Sequence, residues 1–158
     1  MINKLILCLA LFNLSESDLK MRKGSLKTAC QYSGQIIEES AKYNISPFIF
    51  TSLIWVESRF EKSAASPKKA CGLTQILKKY SKYSCEQLKN PLLSIKEGAK
   101  NFSYWYGYSK EVEKALQCYN SGYNCNSPTY SKQIIQKAQI LKSEYAKVYR
   151  QHMEKINE

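Results

Sequence analysis

The chain has 158 residues, the length of one compact domain, and its 24 Lys and Arg residues against 13 Asp and Glu residues give a formal net charge of +11. Hydrophobic residues make up 44% and aromatic residues 12%, which is typical of a globular protein and excludes a disordered basic tail. A lone histidine, His152, excludes a multi-histidine zinc centre and a Ser-His-Asp triad, and no glycine-rich nucleotide motif occurs. An enzyme of this composition is expected to work with carboxylates.

The N-terminus has one early basic residue, Lys4, followed by an apolar run over residues 5–14 and then by polar residues. This layout is typical of a secretory signal, and the run is shorter than the roughly 20 residues of a bilayer-spanning helix. We therefore predict a signal peptide or hydrophobic N-terminal segment over residues 1–20, no stable transmembrane span, and an exported, periplasmic or cell-envelope protein. The alternative is a hydrophobic helix that docks on the body of the protein.

Cysteine spacing bears on the same question. The pairs Cys71/Cys85 and Cys118/Cys125 each bracket a short stretch, so both are candidate disulfides, worth about 2–3 kcal/mol each in the loop-entropy treatment. Cys30 is left over if Cys8 leaves with a signal. Unpaired thiols in a reducing compartment are the alternative, and a four-cysteine zinc site lacks its close C-x-x-C spacing.

Apolar residues recur at helical spacing beyond residue 25, and no strand alternation is evident. The helix over residues 48–57 is apolar nearly all round, which predicts burial on most sides, with Ser46 as its N-cap and Pro47 in its first position. Helices are predicted over residues 27–43, over 48–57, from about 72, from 91, over 111–119 and from 130 onwards, with a loop over 59–70. The fold class predicted is mainly α, with a long C-terminal helix.

Glu57 is the strongest catalytic candidate because it ends the most apolar helix of the chain, next to Trp55 and Val56. A carboxyl group in apolar surroundings resists ionisation, so its pKa is expected to rise toward about 5–7. Such a group can protonate a glycosidic oxygen near neutral pH as a general acid. The alternative is a helix-end glutamate that reaches solvent.

Motifs at fixed spacing around Glu57 resemble the soluble lytic transglycosylases (SLT domain, glycoside hydrolase family 23) of the lysozyme-like superfamily. That family has an E-S pair before a G-L-M-Q element, then an N-I-x-x-G helix, an A-Y-N-x-G loop and a later tyrosine. The matching residues here are Glu57-Ser58, Gly72-Leu73-Thr74-Gln75, Asn90-Pro91 with Ile95 and Gly98-Ala99, residues 115–122, and Tyr130. Thr74 replaces the usual Met, and Cys118 replaces the usual Ala. One such motif is weak evidence, whereas four in register are specific.

The resemblance implies a small, specialised lytic transglycosylase domain over residues 21–158. Glu57 would be the sole acid and base, cleaving the MurNAc–GlcNAc bond of peptidoglycan and forming a 1,6-anhydro-MurNAc end. Neither a cofactor nor a metal is implied. The implied substrate-binding residues can hydrogen-bond a sugar, stack on it or let the backbone approach it: Ser58, Gly72, Leu73, Thr74, Gln75, Tyr119, Asn120 and Tyr130. Tyr119 and Tyr130 can also position Glu57. A role in capping, packing or a turn is the alternative for Ser58, Leu73, Thr74 and Asn120.

A second carboxylate is not obvious from the sequence, which agrees with an intramolecular route. Glu61 is the nearest, in the predicted loop, and Glu86 and Glu97 stay open. A goose-type lysozyme-like hydrolase and a non-catalytic basic module that binds peptidoglycan or anionic polymer are the alternative functions. The aromatic residues at 104–108 favour packing over a sugar platform, and the Lys- and Tyr-rich stretch at 78–83 favours a rim facing an anionic wall polymer over a site for single-stranded nucleic acid.

The biological setting is predicted only in outline. The expected partners are peptidoglycan glycan strands and, beyond them, components of a secretion system, a pilus or a phage. A monomer that opens the cell wall locally, without a nucleic-acid partner, is expected. A phage-encoded wall-penetrating or lysis protein is the alternative to an exported bacterial one.

Overall fold

Helices dominate the part of the chain that this computed structural model describes, residues 1–17 and 19–156, which confirms the mainly α prediction. A short hairpin and two 3-10 turns, at Lys78–Tyr80 and Gly122–Asn124, complete the elements. The hairpin pairs β1 (Ala70–Cys71) with β2 (Ile76–Leu77) in antiparallel register. The helices are α1 (Lys4–Leu14), α2 (Lys23–Lys42), α3 (Pro47–Ser58), α4 (Cys85–Leu88), α5 (Pro91–Ser109), α6 (Val112–Ser121) and α7 (Pro128–Ile156).

Local chemistry sets where the central helices begin and end. Pro47 and Pro91 occupy first-turn positions of α3 and α5, as predicted, because proline lacks the N–H that a helix start leaves unpaired. The Asn90 side chain caps α5 by accepting a hydrogen bond of 3.2 Å from the backbone N–H of Leu93. α3 ends where Arg59 adopts a left-handed conformation.

The hydrophobic core is built around α3. Phe50, Leu53 and Ile54 are fully buried, because α2 and α7 pack against this helix. The apolar stripe of α7 predicted from residue 130 onwards faces the core through a regularly spaced set that includes Ile134, Leu141 and Val148. This packing positions the C-terminal end of α3 against the start of α7, where the candidate site lies.

The helix predicted from about residue 72 is wrong, because the β1–β2 hairpin occupies this region. Gly72 and Gln75 have φ angles of 77° and 50°, and two left-handed residues so close together cannot continue a right-handed helix. The chain turns back instead, and Ala70 pairs with Leu77.

Three disulfides cross-link the chain. Cys71 bonds to Cys85 and Cys118 to Cys125, as predicted, and Cys8 bonds to Cys30 and thereby joins α1 to α2. Disulfides are characteristic of proteins in oxidising compartments. Within residues 1–17 and 19–156, no helix combines the length and the apolar character needed to cross a bilayer.

Candidate active site

Glu57 lies in the last turn of α3, and its carboxylate is hydrogen-bonded by a residue far from it in the sequence. The Tyr130 hydroxyl, at the start of α7, donates a hydrogen bond to Glu57 Oε1 across a separation of 73 residues. This contact exists because α3 and α7 pack side by side. The structure therefore brings together two of the predicted site residues that lie far apart in the chain.

Burial raises the pKa of Glu57 from 4.5 to about 7, and the hydrogen bond from Tyr130 opposes part of that rise. The value lies at the upper end of the range expected from the apolar sequence around Glu57. Since the pKa is close to neutral pH, protonated and ionised forms are both well populated there. A group of this kind can give a proton in one step and accept one in the next.

Tyr119, near the end of α6, is a third predicted site residue that interacts with Glu57 and Tyr130. Its hydroxyl donates a hydrogen bond of 2.8 Å to the backbone carbonyl of Thr74. Burial and the charge of Glu57 both raise the pKa of Tyr119, and burial, Glu57 and Tyr119 raise that of Tyr130. Both phenols are therefore neutral hydrogen-bond donors at physiological pH, and the three groups lie within electrostatic reach of one another.

The segment from Gly72 to Thr74 passes through a tightly packed region. A Cβ atom at Gly72 would lie 2.0 Å from the backbone oxygen of Leu88, so only glycine fits there. Leu73 and Thr74 are fully buried, and the Thr74 hydroxyl donates a 2.7 Å hydrogen bond to the backbone oxygen of Ser94. Both side chains face the protein interior, so they hold this segment in place.

Gly98 and Ser94 on α5 explain how Thr74 is accommodated. A Cβ atom at Gly98 would lie 2.4 Å from Thr74 Cγ2, so the glycine leaves the space that the threonine fills. The backbone N–H of Thr74 donates to Ser94 Oγ at 3.1 Å. Ser94 is a site residue that sequence reasoning missed, because a lone buried serine on a helix gives no periodic signal.

The other predicted site residues form hydrogen bonds within the protein. Gln75 Nε2 donates to the backbone oxygens of Ala64 at 3.1 Å and Gly72 at 2.9 Å. The buried Ser58 hydroxyl donates to the backbone oxygen of Ile54 at 3.1 Å. The exposed Asn120 accepts a 2.8 Å hydrogen bond from Ser127 through Oδ1. Their contacts hold the loops and helix ends around Glu57.

Two of the other carboxylates considered from the sequence, Glu61 and Glu86, have partners of their own. Glu61 is exposed and accepts a 3.3 Å hydrogen bond from the Ser63 hydroxyl. Glu86 is exposed and pairs with Lys89 at 2.9 Å. The pKa of Glu57 is governed by burial and by Tyr130, neither of which is a second acid.

The chain was compared with known protein families. Residues 34–142 match a family described as the transglycosylase SLT domain, which confirms the resemblance found from the motifs. The matched region runs from within α2 to within α7. It includes Glu57, Tyr119, Tyr130 and the whole β1–β2 hairpin.

Proposed function

The chain belongs to the transglycosylase SLT domain family, and from this premise we propose that it is a peptidoglycan lytic transglycosylase that cleaves the MurNAc–GlcNAc bond. Family membership itself implies glycosidic-bond cleavage in peptidoglycan. The main support for this specific reaction comes from the Glu57 carboxyl group, which has a pKa of about 7 and a hydrogen bond from the Tyr130 phenol. A carboxyl group of this kind can serve both as the acid and as the base of the reaction.

The proposed reaction needs one proton carrier and no water. Protonated Glu57 donates to the glycosidic oxygen as the bond between MurNAc C1 and that oxygen breaks. Tyr130 stabilises the resulting carboxylate by the hydrogen bond that it donates to Oε1. The carboxylate then accepts the proton of the MurNAc C6 hydroxyl group while the oxygen of that hydroxyl group bonds to C1. The products are a free GlcNAc end and a 1,6-anhydro-MurNAc end, with Glu57 protonated again.

The surrounding residues have two proposed roles. Tyr119 holds the Gly72–Thr74 segment near Glu57 through its hydrogen bond to the Thr74 carbonyl. We propose that the backbone at Gly72, the side chain of Gln75 in the β1–β2 turn and the side chain of Asn120 near the end of α6 contact the sugars. Two-carboxylate glycosidases keep their acids about 5–9.5 Å apart. No second acid is among the groups that shift the pKa of Glu57, which supports the one-carboxylate route.

The proposed setting is the bacterial cell envelope, with peptidoglycan strands as substrate. Three disulfides support an oxidising compartment outside the cytoplasm. A chain with a net charge of +11 is attracted to an acidic wall. A secretion system, a pilus or a phage remains the predicted context for such local wall opening.

Digestion of purified cell walls tests the proposal. We expect the wild-type protein to release soluble muropeptides, and Glu57→Gln to lose at least about a hundredfold of that rate. The matched control is Glu61→Gln, which removes an exposed acid four residues along the chain and should keep full activity.

Mass spectrometry of the products separates the candidate activities. Anhydro ends are lighter by one water than hydrolysed ends, and we expect the anhydro mass. Hydrolysed products would overturn the transglycosylase proposal in favour of a lysozyme-like hydrolase. Failure of the wild-type protein to release any fragment would leave a peptidoglycan-binding module.

A further inference from the structure

An exposed aromatic surface takes no part in the chemistry above. Three tyrosines pack edge to face around Trp105, which is itself only 8% exposed, and a fourth, Tyr80, interacts electrostatically with Tyr123. These four, called the tyrosine patch, are Tyr80 (66% exposed), Tyr104 (53%), Tyr108 (56%) and Tyr123 (64%). Single exposed apolar residues are ordinary, whereas a contiguous group of large ones marks an interaction surface.

Contacts around Trp105 keep the patch in one arrangement. The ring centroids of Tyr104 and Tyr123 lie 5.0 and 5.1 Å from that of Trp105, and Tyr108 lies 5.5 Å from Tyr123, all edge to face. The hydroxyl groups of Tyr104 and Tyr123 are hydrogen-bonded to each other. Ring packing of this kind fixes the side chains before a ligand arrives, which lowers the entropy cost of binding.

Two short chain segments lead from residues of the candidate site to the patch. Tyr123 follows Tyr119 by four residues, a span of at most about 14 Å, and the disulfide between Cys118 and Cys125 closes this segment. Tyr80 follows Gln75 by five residues. The pKa of Tyr123 is raised mainly by its hydrogen bond with Tyr104, and Tyr80 adds a smaller electrostatic contribution. Each of these two short segments therefore joins a site residue to a tyrosine of the patch.

We propose that the tyrosine patch binds the glycan strand on one side of the bond that Glu57 cleaves. This inference rests on the proposed function. The C–H faces of a sugar ring are apolar and its edge carries hydroxyl groups, which suits a tyrosine with an apolar face and a polar tip. Lys79 lies 4.7 Å from the Tyr80 ring centroid and adds positive charge toward the acidic groups of the wall.

Sedimentation with purified peptidoglycan tests binding without cleavage. In a Glu57→Gln background we expect Tyr104→Ala and Tyr123→Ala each to weaken binding about fivefold. Tyr106→Ala is the matched control, since Tyr106 is on the same helix, 41% exposed and outside the patch, and it should bind normally. Tyr104→Phe and Tyr123→Phe keep the rings and should retain binding.

Kinetics of the active protein give the second readout. The alanine variants of the patch should raise KM for long glycan strands while leaving kcat, and cleavage of the shortest cleavable fragment, unchanged. Unchanged wall binding in both alanine variants would overturn the inference. It would also be overturned if the wild-type protein bound a single-stranded oligonucleotide more tightly than peptidoglycan and both alanine variants lost that oligonucleotide binding. A wild-type protein that binds walls through the patch but releases no fragment would instead refute the proposed function.

The packing of α1 carries a second, independent inference. Ile6, Leu7, Ala10 and Leu11 are at most 2% exposed and belong to the same core as α3. The Asn3 N–H donates to the Tyr145 hydroxyl of α7 at 2.8 Å. Without α1, the faces of α2 and α7 that it covers would be exposed to water.

Polar and covalent links tie the same helix to its neighbours. Asn13 Nδ2 donates to Glu144 Oε1 at 2.8 Å, and Cys8 is bonded to Cys30. We infer that residues 4–14 stay in the mature protein as its first helix, which is the docked-helix alternative to a cleaved signal peptide. The disulfide then gives Cys30 the partner that a cleaved signal would remove.

The intact mass of the protein recovered from the cell envelope of a producing bacterium tests this inference. We expect a mass that includes residues 4–14. A recovered form shortened by cleavage after residue 14 would overturn it. A Cys8→Ser variant, which cannot form the bond to Cys30, should unfold at a lower temperature than the wild-type protein.

Discussion

The helices α1 and α3 have similar lengths, 11 and 12 residues, and similar apolar sequences, but the protein surrounds them differently. α3 lies in the middle of the core, and its apolar side chains are buried on most faces. α1 lies at the edge, buried on one face and exposed on the other through Leu5 (55% exposed), Leu9 (39%) and Phe12 (62%). Apolar composition therefore identifies both helices as hydrophobic but does not say how many of their faces are covered.

The number of covered faces decides what each helix can do. Around α3, burial extends to the last turn and raises the pKa of Glu57 to about 7. The buried face of α1 consists of apolar side chains such as Leu7 and Leu11, so its burial can only contribute stability. The same kind of sequence thus builds a reactive carboxyl in one place and a structural contact in the other.

The largest effect on stability is expected when a side chain on the buried face of α1 is shortened, compared with one on its exposed face. Leu7→Ala should lower the free energy of unfolding by about 2–5 kcal/mol, because it removes a fully buried side chain and leaves a cavity. Leu9→Ala on the outer face should change it by less than about 0.5 kcal/mol. Urea denaturation measures both. Equal losses in the two variants would contradict the docking of α1 through one face.

The Cys8–Cys30 disulfide should contribute slightly less. Its 22-residue separation gives about 3 kcal/mol in the loop-entropy treatment, so the Cys8→Ser and Cys30→Ser double variant should be destabilised by that order. The control is the Cys118→Ser and Cys125→Ser pair, whose separation of 7 residues predicts a smaller loss. Chemical denaturation under non-reducing conditions measures both losses. A larger loss from removing the Cys118–Cys125 bridge would contradict the prediction.

Glu57 should lower stability at neutral and higher pH, by about 1–3 kcal/mol. The pKa of Glu57 is about 7 in the folded protein, against 4.5 for a glutamate exposed to water as in the unfolded chain, so folding favours the neutral form. Wild-type stability should therefore fall as pH rises from about 4.5 through 7, and Glu57→Gln should remove this fall. Melting temperatures of both proteins across this range test it. Glu61→Gln, an exposed control, should leave the fall unchanged, and a fall that persists in Glu57→Gln would refute the assignment.

Sequence reasoning predicted α3, α5 and the catalytic candidate because their signals are local. Pro47 and Pro91 mark helix starts, and an apolar run leads directly to Glu57. The β1–β2 hairpin was missed because its cause is the left-handed backbone of Gln75 and the contact between Gly72 and Leu88, which spacing does not reveal. The hydrogen bond between Tyr130 and Glu57 depends on how two helices pack, so the motif left open whether Tyr130 positions Glu57 or stacks on a sugar.

The smallest predicted effect distinguishes the two phenols beside Glu57. Tyr130→Phe removes the hydrogen bond that lowers the pKa of Glu57, so this pKa should rise and the loss of kcat/KM at alkaline pH should begin at a higher pH. The shift should be smaller than the effect of burial, which is the larger cause. Tyr119→Phe is the matched control, because its hydroxyl bonds to the Thr74 carbonyl and not to the carboxylate. A profile that moves to lower pH in Tyr130→Phe, or moves equally in both variants, would contradict the role of Tyr130 as the donor that stabilises ionised Glu57.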